Sequence, residues 1–285
     1  MSAIDSEIHL PTLRMPILET HEFNWIRKYL HHHVGIALNE NKQAMVMGRL
    51  EKRLRHHGFS SYGEYFNLFG KPGFEHETTM AIDLLTTNET YFFREPKHFE
   101  FLKNHLFPAH PSDRPLRIWS AASSSGEEAY TLGMLAAEHL STAQWEIIGT
   151  DISTRMLEKA RTGLYPLQAA EKIPERLLKN YCLKGNSDYD GFFLIDKELR
   201  KRIKFLHVNL IENLPDLGSF DVIFLRNVMI YFDQPTKQAL VSRLLKHLKP
   251  GGHFFVSHSE SLNGVNQELT MLKPSIYRKD SGIRA

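Results

Sequence analysis

The stretch 116–151 constrains the fold of this chain more than any other. Residues 116–119 and 145–149 are short apolar runs with the look of buried strands, and nothing larger than serine stands at 120–126. Small residues then recur at helical spacing through Ala129, Gly133 and Ala136, which lets a helix lie close to a sheet. Asp151 follows the second run. This order predicts the first half of a doubly wound nucleotide-binding fold, with its ligand over the carboxyl ends of the strands.

The turn at 120–126 limits the kinds of nucleotide ligand that the chain can bind. A dinucleotide fingerprint needs several glycines so that backbone N–H groups approach phosphate, and only Gly126 is present. S-adenosylmethionine carries no phosphate and needs acids for its ammonium and its ribose hydroxyls. Glu127 or Glu128 suits the first role and Asp151 the second. The alternative is that both glutamates simply favour the positive end of the helix dipole. The turn alone leaves both interpretations open.

Composition limits the functional classes. The net charge of +2 gives no general attraction for nucleic acid, and Cys182 is the single cysteine, which excludes an internal disulfide and fits a reducing cytosol. No signal peptide or membrane span is expected, which predicts a cytoplasmic protein without membrane insertion. Three consecutive histidines at 31–33 point in different directions on a helix, so a solvated helix end is expected there and no metal site.

The amino-terminal part predicts a helical domain over 1–87, with 1–18 as a loose arm. Four helices are expected, at 19–33, at 39–57, after a capping box formed by Ser61 and Glu64, and at 74–87 with Phe74 facing inward. The second helix carries cations beside its apolar face: Lys42, Arg49, Lys52, Arg53 and His56. They form either a solvated face or a docking surface for an acidic partner or phosphates.

The remaining part, 88–285, predicts the nucleotide-binding domain. Asn88, Thr90 and Arg94 stand among aromatic residues, and an arginine in such a setting is a candidate ligand for a carboxylate. Residues 181–205 alternate like a hairpin and predict a small antiparallel β insertion. Strands at 203–208, 220–224 and 253–257, a turn at 249–252 and a closing hairpin at 269–277 complete a mostly parallel sheet.

Five motifs together resemble the CheR family of chemotaxis-receptor protein-glutamate methyltransferases. They are TTNETYFFRE at 86–95, SAASSSGEEAYT at 120–131, GTDIS at 149–153, RNVMIYFD at 226–233 and LKPGGHFFVSHSE at 248–260. The resemblance implies an all-helical amino-terminal domain and an α/β class I S-adenosylmethionine-dependent methyltransferase domain with a small β insertion. It implies methyl transfer from S-adenosylmethionine to receptor glutamates, with S-adenosylhomocysteine as product, in bacterial signal transduction.

The resemblance also assigns residues. It implies that the cofactor contacts these positions: Asn88, Thr90, Arg94, Glu128, Asp151, Asn209, Leu210, Asn227 and Val228. It places Arg94 and Tyr231 beside the transferring methyl group, and it makes Lys42, Arg49, Lys52 and Arg53 a receptor-docking surface. The expected partners are the cytoplasmic domains of methyl-accepting chemotaxis receptors, and a monomer is expected.

Two other functions remain open from the sequence. An N-methyltransferase usually places Asn/Asp-Pro-Pro-aromatic after its fourth strand, whereas this chain has Asn227 followed by Val-Met-Ile and then Tyr231. A non-catalytic domain that binds S-adenosylmethionine and signals by protein contact would need the same binding residues. A glutamate carboxylate is already ionised near neutral pH, so the absence of a catalytic base motif does not argue against ester formation.

Overall fold

The computed structural model describes residues 16–111, 113–140 and 145–280. The chain divides into two compact units. The helical unit contains the residues up to Lys28 together with Asn39–Leu85, and the sheet unit contains Tyr29–Leu38 and the residues from Thr86 onward. The predicted boundary near 87 therefore holds for the later part of the chain, whereas residues 29–38 belong to the sheet unit.

The helical unit is built from short helices. They are α1 (Thr20–Val34), whose end belongs to the sheet unit, a 3-10 turn (Glu40–Lys42), α2 (Gln43–His57), α3 (Tyr62–Phe66) and α4 (Glu75–Leu85). Val46, Leu50 and Leu54 are fully buried along one face of α2, as their spacing predicts. Gly58 adopts the left-handed conformation that ends this helix.

Of two local predictions in this unit, the capping box is confirmed and the inward position of Phe74 is wrong. The Ser61 hydroxyl accepts the Glu64 N–H, and the Glu64 carboxylate interacts with the N–H groups of both Ser60 and Ser61. Phe74 lies before α4 and is 37% exposed, because the helix begins at Glu75 and turns Glu77 and Asp83 inward with Ala81. Sequence patterns identify the inward face of a helix by its apolar residues, so two buried acidic residues on that face could not be predicted.

Glu77 is buried because the unit supplies it with donors. Arg53 forms an ion pair with its carboxylate, the Tyr65 hydroxyl donates to it over 2.6 Å, and His57 Nε2 lies 3.1 Å away. Burial alone would raise the pKa of Glu77, but these hydrogen bonds outweigh it and hold the pKa at about 2. The network ties α2, α3 and α4 together.

The sheet unit begins with a helical segment and continues as alternating strands and helices. Its elements are α5 (Pro96–Phe101), a π-helical turn (Leu102–Leu106), α6 (Phe107–Ala109), β1 (Leu116–Ser120), α7 (Glu127–His139), β2 (Trp145–Asp151), α8 (Thr154–Thr162), β3 (Leu164–Pro166), α9 (Glu175–Tyr181), β4 (Cys182–Lys184), β5 (Phe192–Ile195), α10 (Lys197–Lys201), β6 (Ile203–His207), β7 (Phe220–Phe224), α11 (Gln234–Leu245), β8 (Leu248–Phe255), β9 (Leu269–Lys273) and β10 (Ile276–Lys279). Further 3-10 turns lie at Leu167–Lys172, Ser187–Tyr189 and Met229–Tyr231.

The main sheet has seven strands in the order β6-β2-β1-β7-β8-β10-β9. The first five pair in parallel, and the hairpin of β9 and β10 adds two antiparallel strands at one edge. The chain runs outward from β1 to β2 and β6, then crosses to β7 on the other side of β1. The switch point between β1 and β7 is where such a fold binds its ligand. The predicted α/β class I methyltransferase fold is confirmed.

Small residues let α7 lie close to the sheet. A Cβ added at Gly133 would stand 2.8 Å from Ile203 Cδ1, so only glycine fits there without movement. On the β7–β8 side, the rings of Phe224 and Phe255 stack with centroids 4.4 Å apart. Phe224 is the last residue of β7, so the stacked rings hold the carboxyl end of this strand, after which predicted site residues follow.

The β insertion differs from its predicted bounds of 181–205. Its sheet has three antiparallel strands in the order β3-β5-β4, so it begins earlier, at Leu164. Ile203–His207 instead pairs in parallel with β2 as an edge strand of the main sheet. The predicted turn at 249–252 lies within β8, where the pairing with β7 shifts register to accommodate it. In the described part of the chain, no helix is long and apolar enough to cross a bilayer.

Candidate functional site

The turn after β1 is hydrogen-bonded to an acidic side chain of the protein, Asp151. Asp151 Oδ2 accepts the Ser124 N–H over 2.8 Å, and its Oδ1 accepts the Ser153 N–H over 2.9 Å. Ser124 has a positive φ of 47°, which turns its N–H toward Asp151. The N–H groups that would cradle a phosphate in a dinucleotide-binding fold are therefore partly occupied by a carboxylate. This favours a ligand without phosphate at the turn.

Gly126 is required where the turn enters α7. Its φ is +96°, and an added Cβ would lie 2.9 Å from the Ala160 Cβ and 3.1 Å from the Tyr165 hydroxyl. Glycine adopts this conformation without strain, whereas an L side chain does not. The Tyr165 hydroxyl also donates to the Ser125 carbonyl oxygen over 2.5 Å. The turn is thus pinned against α8 and β3.

Glu128 lies above the switch point and is 12% exposed. Its Oε1 accepts from the Ser120 hydroxyl over 2.7 Å, and its Oε2 pairs with Arg226 Nη1 at 2.9 Å. Burial raises the pKa of Glu128, and the Arg226 charge partly offsets that effect. Glu127 points elsewhere, accepting from the Ser125 hydroxyl over 2.7 Å, and burial raises its pKa to about 7. Of the two predicted glutamates, Glu128 is the one joined to the strand ends.

Arg226 is the centre of a network that the sequence did not predict. Its guanidinium is almost fully buried, pairs with Glu95 Oε2 at 3.2 Å as well as with Glu128, and donates to the Arg94 carbonyl oxygen. A buried cation is stabilised only when such partners surround it. The signal for it was the RNVMIYFD motif, in which Arg226 directly follows a buried strand.

The segment 86–95 reaches the turn through Asn88. The Ser124 hydroxyl donates to the Asn88 carbonyl oxygen over 3.1 Å, and Phe93 N–H donates to the Thr131 hydroxyl over 3.2 Å. Phe93 and Glu95 have positive φ values of 57° and 60°. Strained residues of this kind are held in place by surrounding contacts and cluster at functional sites.

Arg94 is half-buried, donates to the Glu89 carbonyl oxygen over 2.6 Å and lies 5.6 Å from the Tyr91 ring centroid. Thr90 is also half-buried in this segment. Phe92 and Phe99 are buried in the core, whereas Arg94 keeps partial contact with solvent and remains a candidate carboxylate ligand.

Asn209 and Leu210 follow β6. The Asn209 amide donates to the His33 carbonyl oxygen over 2.7 Å and to Glu212 Oε1 over 2.8 Å. Leu210 is buried, and its carbonyl oxygen accepts from Arg243 over 2.6 Å. Residues 29–38 thus belong to the sheet unit because they contact its strand ends.

Asn227, Val228 and Tyr231 follow β7. Glu260, another residue that sequence reasoning missed, accepts the N–H groups of Asn227, Ile230 and Ser257 over 2.9–3.2 Å. Asn227 has a positive φ of 59°, and the Tyr231 carbonyl oxygen accepts the Ala37 N–H over 2.8 Å. Val228 and Tyr231 are half-buried. Glu260 therefore fixes the backbone of the segment 227–231.

The cations of α2 have different environments. Lys42, in the 3-10 turn directly before α2, and Lys52 are exposed, and Arg49 donates to the Leu85 carbonyl oxygen over 3.0 Å. Arg53 is engaged by buried Glu77, so its role within the helical unit is structural. The exposed lysines are the members of the predicted docking surface that face solvent.

The site as a whole presents carboxylates at the carboxyl ends of β1, β2 and β7, together with a turn that lacks the glycine-rich pattern of phosphate-binding loops. Glu128 and Asp151 suit the ammonium and ribose hydroxyls of a nucleoside cofactor, respectively, and neither favours a pyrophosphate. The residues present therefore fit S-adenosylmethionine.

Comparison with known proteins agrees with this geometry. The family model described as "CheR methyltransferase, all-alpha domain" matches residues 21–86, and "CheR methyltransferase, SAM binding domain" matches residues 88–278. The chain is 37% identical to the chemotaxis protein methyltransferase of Escherichia coli, covering 93% of each chain. It is 38% identical to chemotaxis protein methyltransferase 2 of Pseudomonas aeruginosa, covering 90% of this chain and 92% of the relative.

A third relative, the chemotaxis protein methyltransferase of Borreliella burgdorferi, is 36% identical over 91% of this chain and 94% of its own. The models of both domains of one family thus match this chain in order, and the similarity extends over nearly the whole length of each relative. Because two models of one family match and three relatives are 36–38% identical, the chain belongs to the CheR family of S-adenosylmethionine-dependent methyltransferases.

Proposed function

We propose that this protein transfers a methyl group from S-adenosylmethionine to glutamate side-chain carboxylates of chemotaxis receptors. The products are a glutamyl methyl ester and S-adenosylhomocysteine. The observation that carries the proposal is the Asp151 carboxylate bound to the Ser124 and Ser153 N–H groups, with Glu128 at the adjacent strand end. The names of the relatives, chemotaxis protein methyltransferases, supply the substrate class.

The proposed cofactor contacts follow the order of the strand ends. Glu128 holds the methionine ammonium, and Asp151 accepts the ribose hydroxyls. Asn209 and Leu210 contact the adenine, while Asn227 and Val228 contact the cofactor from the end of β7. Asn88, Thr90 and Arg94 contact its methionine end. The fixed backbone at Asn88, Ser124 and Asn227 supports this assignment, since a preorganised site binds with less loss of conformational entropy.

The protein's part in the chemistry is alignment. When bound, the cofactor supplies an electrophilic methyl group on its sulfonium. A glutamate side chain with a pKa of about 4.3 is ionised at neutral pH, so it attacks without a general base. Arg94 and the Tyr231 hydroxyl hold one carboxylate oxygen and leave the other free to attack, and exclusion of water strengthens that nucleophile. Arg94 serves for positioning, since a stronger pairing would weaken the nucleophile.

The exposed cations of α2 form the proposed receptor-docking surface. Lys42 and Lys52 face solvent, with Arg49 half-buried beside them. A basic helix face attracts an acidic partner over a Debye length of about 8 Å at physiological salt. The proposed partners are cytoplasmic receptor domains, and the protein is proposed to act in the cytoplasm as a monomer.

The deciding experiment is a methyl-transfer assay with methyl-labelled S-adenosylmethionine and receptor-containing membranes. We expect label on the receptor that is released by mild base, as an ester is, and that disappears when the acceptor glutamates are replaced by alanine. Base-stable label would indicate N-methylation. Cofactor binding without any label would indicate a non-catalytic signalling domain.

A further inference from the structure

Three potential metal ligands meet beside the cofactor site. Glu95 precedes α5, His98 lies in its first turn, and His258 follows β8. One candidate ligand atom from each residue lies within 4.8 Å of the other two. Glu95 and His98 are three residues apart, but His258 is distant in the sequence, which explains why no local motif predicted the cluster.

The Ser275 hydroxyl contacts both imidazoles. His98 Nε2 lies 2.6 Å and His258 Nδ1 lies 2.9 Å from Ser275 Oγ, and the Pro274 carbonyl oxygen lies 2.6 Å from the same atom. When the Ser275 hydroxyl donates to Pro274, both ring nitrogens donate to Ser275, and His98 Nδ1 then carries a lone pair.

That lone pair is oriented toward another acceptor. His98 is fully buried, and its Nδ1 has no hydrogen-bond partner among the described residues. The nearest charged atom is Glu95 Oε2, at 3.5 Å. Glu95 Oε2 already accepts from Arg226 and from the His258 N–H, so His98 Nδ1 is the buried polar atom that is left unsatisfied. A cation bound to His98 Nδ1 satisfies it.

We propose that Glu95, His98 and His258 bind a divalent transition-metal ion of the zinc type. Two imidazoles and one carboxylate form a ligand set that suits zinc and leaves a position for solvent. Ser275 orients both rings through their second nitrogens, as residues around metal sites do. A cavity of about 600 Å³ lined by His98, His258 and Ser275 provides access for the ion.

The neighbouring Arg226 does not prevent binding. Its guanidinium lies 3.2 Å from Glu95 Oε2, but it also pairs with Glu128 Oε2 at 2.9 Å. The two carboxylates together exceed its single positive charge. Arg226 and the His258 N–H both contact Glu95 Oε2 at 3.2 Å, so the other oxygen of this carboxylate, Oε1, remains for the ion.

The test is a zinc titration of the metal-free full-length protein by calorimetry. Histidines elsewhere, including those at 31–33, give background binding that all variants share. We expect the unmodified protein to bind one equivalent more than His258→Ala, or to bind that equivalent about 100-fold more tightly. His105→Ala is the matched control, because His105 lines the same cavity outside the cluster. It should bind zinc like the unmodified protein.

Cobalt(II) gives a second measurement that does not depend on activity. A tetrahedral site of nitrogen and oxygen ligands produces strong visible absorption bands, which Glu95→Gln should abolish and His105→Ala should retain. His258 is exposed, so its replacement leaves the core intact, and circular dichroism verifies the fold of each variant. Equal zinc binding by the unmodified protein and His258→Ala, or unchanged cobalt bands in Glu95→Gln, would overturn the proposal.

Discussion

Arg226 Nη1 lies 2.9 Å from Glu128 Oε2, so an ion pair joins the end of β7 to the start of α7. The other Glu128 oxygen accepts from the Ser120 hydroxyl at the end of β1. The carboxylate is therefore held from both sides of the switch point in a single orientation. This fixed orientation supports the proposed role of Glu128 as the acid that holds the cofactor's ammonium group.

Replacing Glu128 by glutamine should weaken S-adenosylmethionine binding. The amide retains the size of the side chain but loses the charge, and a hydrogen bond to a charged group contributes about 1.5–3 kcal/mol, or about 10- to 100-fold in affinity. Isothermal titration calorimetry measures this directly. Glu127→Gln is the control, because Glu127 bonds to Ser125 and its pKa of about 7 already favours partial protonation. Equal losses in both variants would contradict the assignment.

Tyr231→Phe should lower kcat and leave cofactor affinity unchanged. The proposed hydroxyl contact orients the acceptor carboxylate, and misplaced reactants cost about 100-fold in rate. The measurement is kcat and KM for labelled methyl transfer, with the cofactor Kd determined separately. Tyr91→Phe, in an exposed ring of the segment 86–95, is the matched control and should keep the normal rate. A normal rate in Tyr231→Phe would remove this residue from the mechanism.

Gly126→Ala should destabilise the protein by about 2 kcal/mol or more. The left-handed conformation costs an L residue about 1–2 kcal/mol, and the new methyl group would also crowd the Ala160 Cβ. Chemical denaturation gives the free energy of unfolding. Gly48→Ala, in α2 with open space around it, should instead stabilise by about 0.5–1 kcal/mol. Similar effects at both glycines would show that the turn is not constrained.

Glu77→Gln should destabilise the protein by about 3 kcal/mol at neutral pH, because it breaks a buried ion pair with Arg53. The pKa of about 2 lies below the ordinary value, so this contribution is complete above about pH 4.5 and is lost as the pH falls toward 2. The difference in unfolding free energy between Glu77→Gln and the unmodified protein should decrease as the pH falls over that range.

Glu51→Gln is the control for this effect. Glu51 pairs with exposed Arg55 on the same helix, and an exposed pair of this type contributes less than about 1 kcal/mol. A constant difference between Glu77→Gln and the unmodified protein from pH 7 to pH 3 would contradict the role assigned to Glu77.

Lys52→Glu should raise KM for receptor-containing membranes several-fold and leave the cofactor Kd unchanged. The charge reversal on the exposed α2 face opposes an acidic partner, and the effect should shrink at high salt. Lys71→Glu makes the same change of net charge at an exposed loop position. If both variants raise KM equally, net charge accounts for the effect and the α2 surface has no specific role.

Much of the fold could be predicted from hydrophobic periodicity and from the residues that begin and end helices. Asp151 stands at the end of β2, and Ser153 and Gly163 bound α8 as predicted. These features depend on residues within one or two turns of each other, so a single sequence contains them. The mostly parallel sheet was also predicted, because alternating strands and helices favour one.

The site was less predictable, because its contacts join distant segments. Arg226 with Glu95 and Glu260 with Asn227 depend on tertiary packing, and no spacing rule connects them. Arg53 was predicted to face a partner, yet Glu77 from another helix engages it. A charged residue on a helix face has the same pattern in sequence whether its counterion lies in solvent or in a neighbouring helix.

The segment 29–38 limits where the chain can be cut into separate domain fragments. It precedes most of the helical unit in the chain, yet His33 accepts from Asn209 and Ala37 donates to Tyr231 within the sheet unit. A fragment that starts at residue 88 would lack both contacts at the cofactor and acceptor ends of the cleft. Exchange of the amino-terminal half between homologues, in the laboratory or by recombination, would therefore also replace a part of the catalytic half.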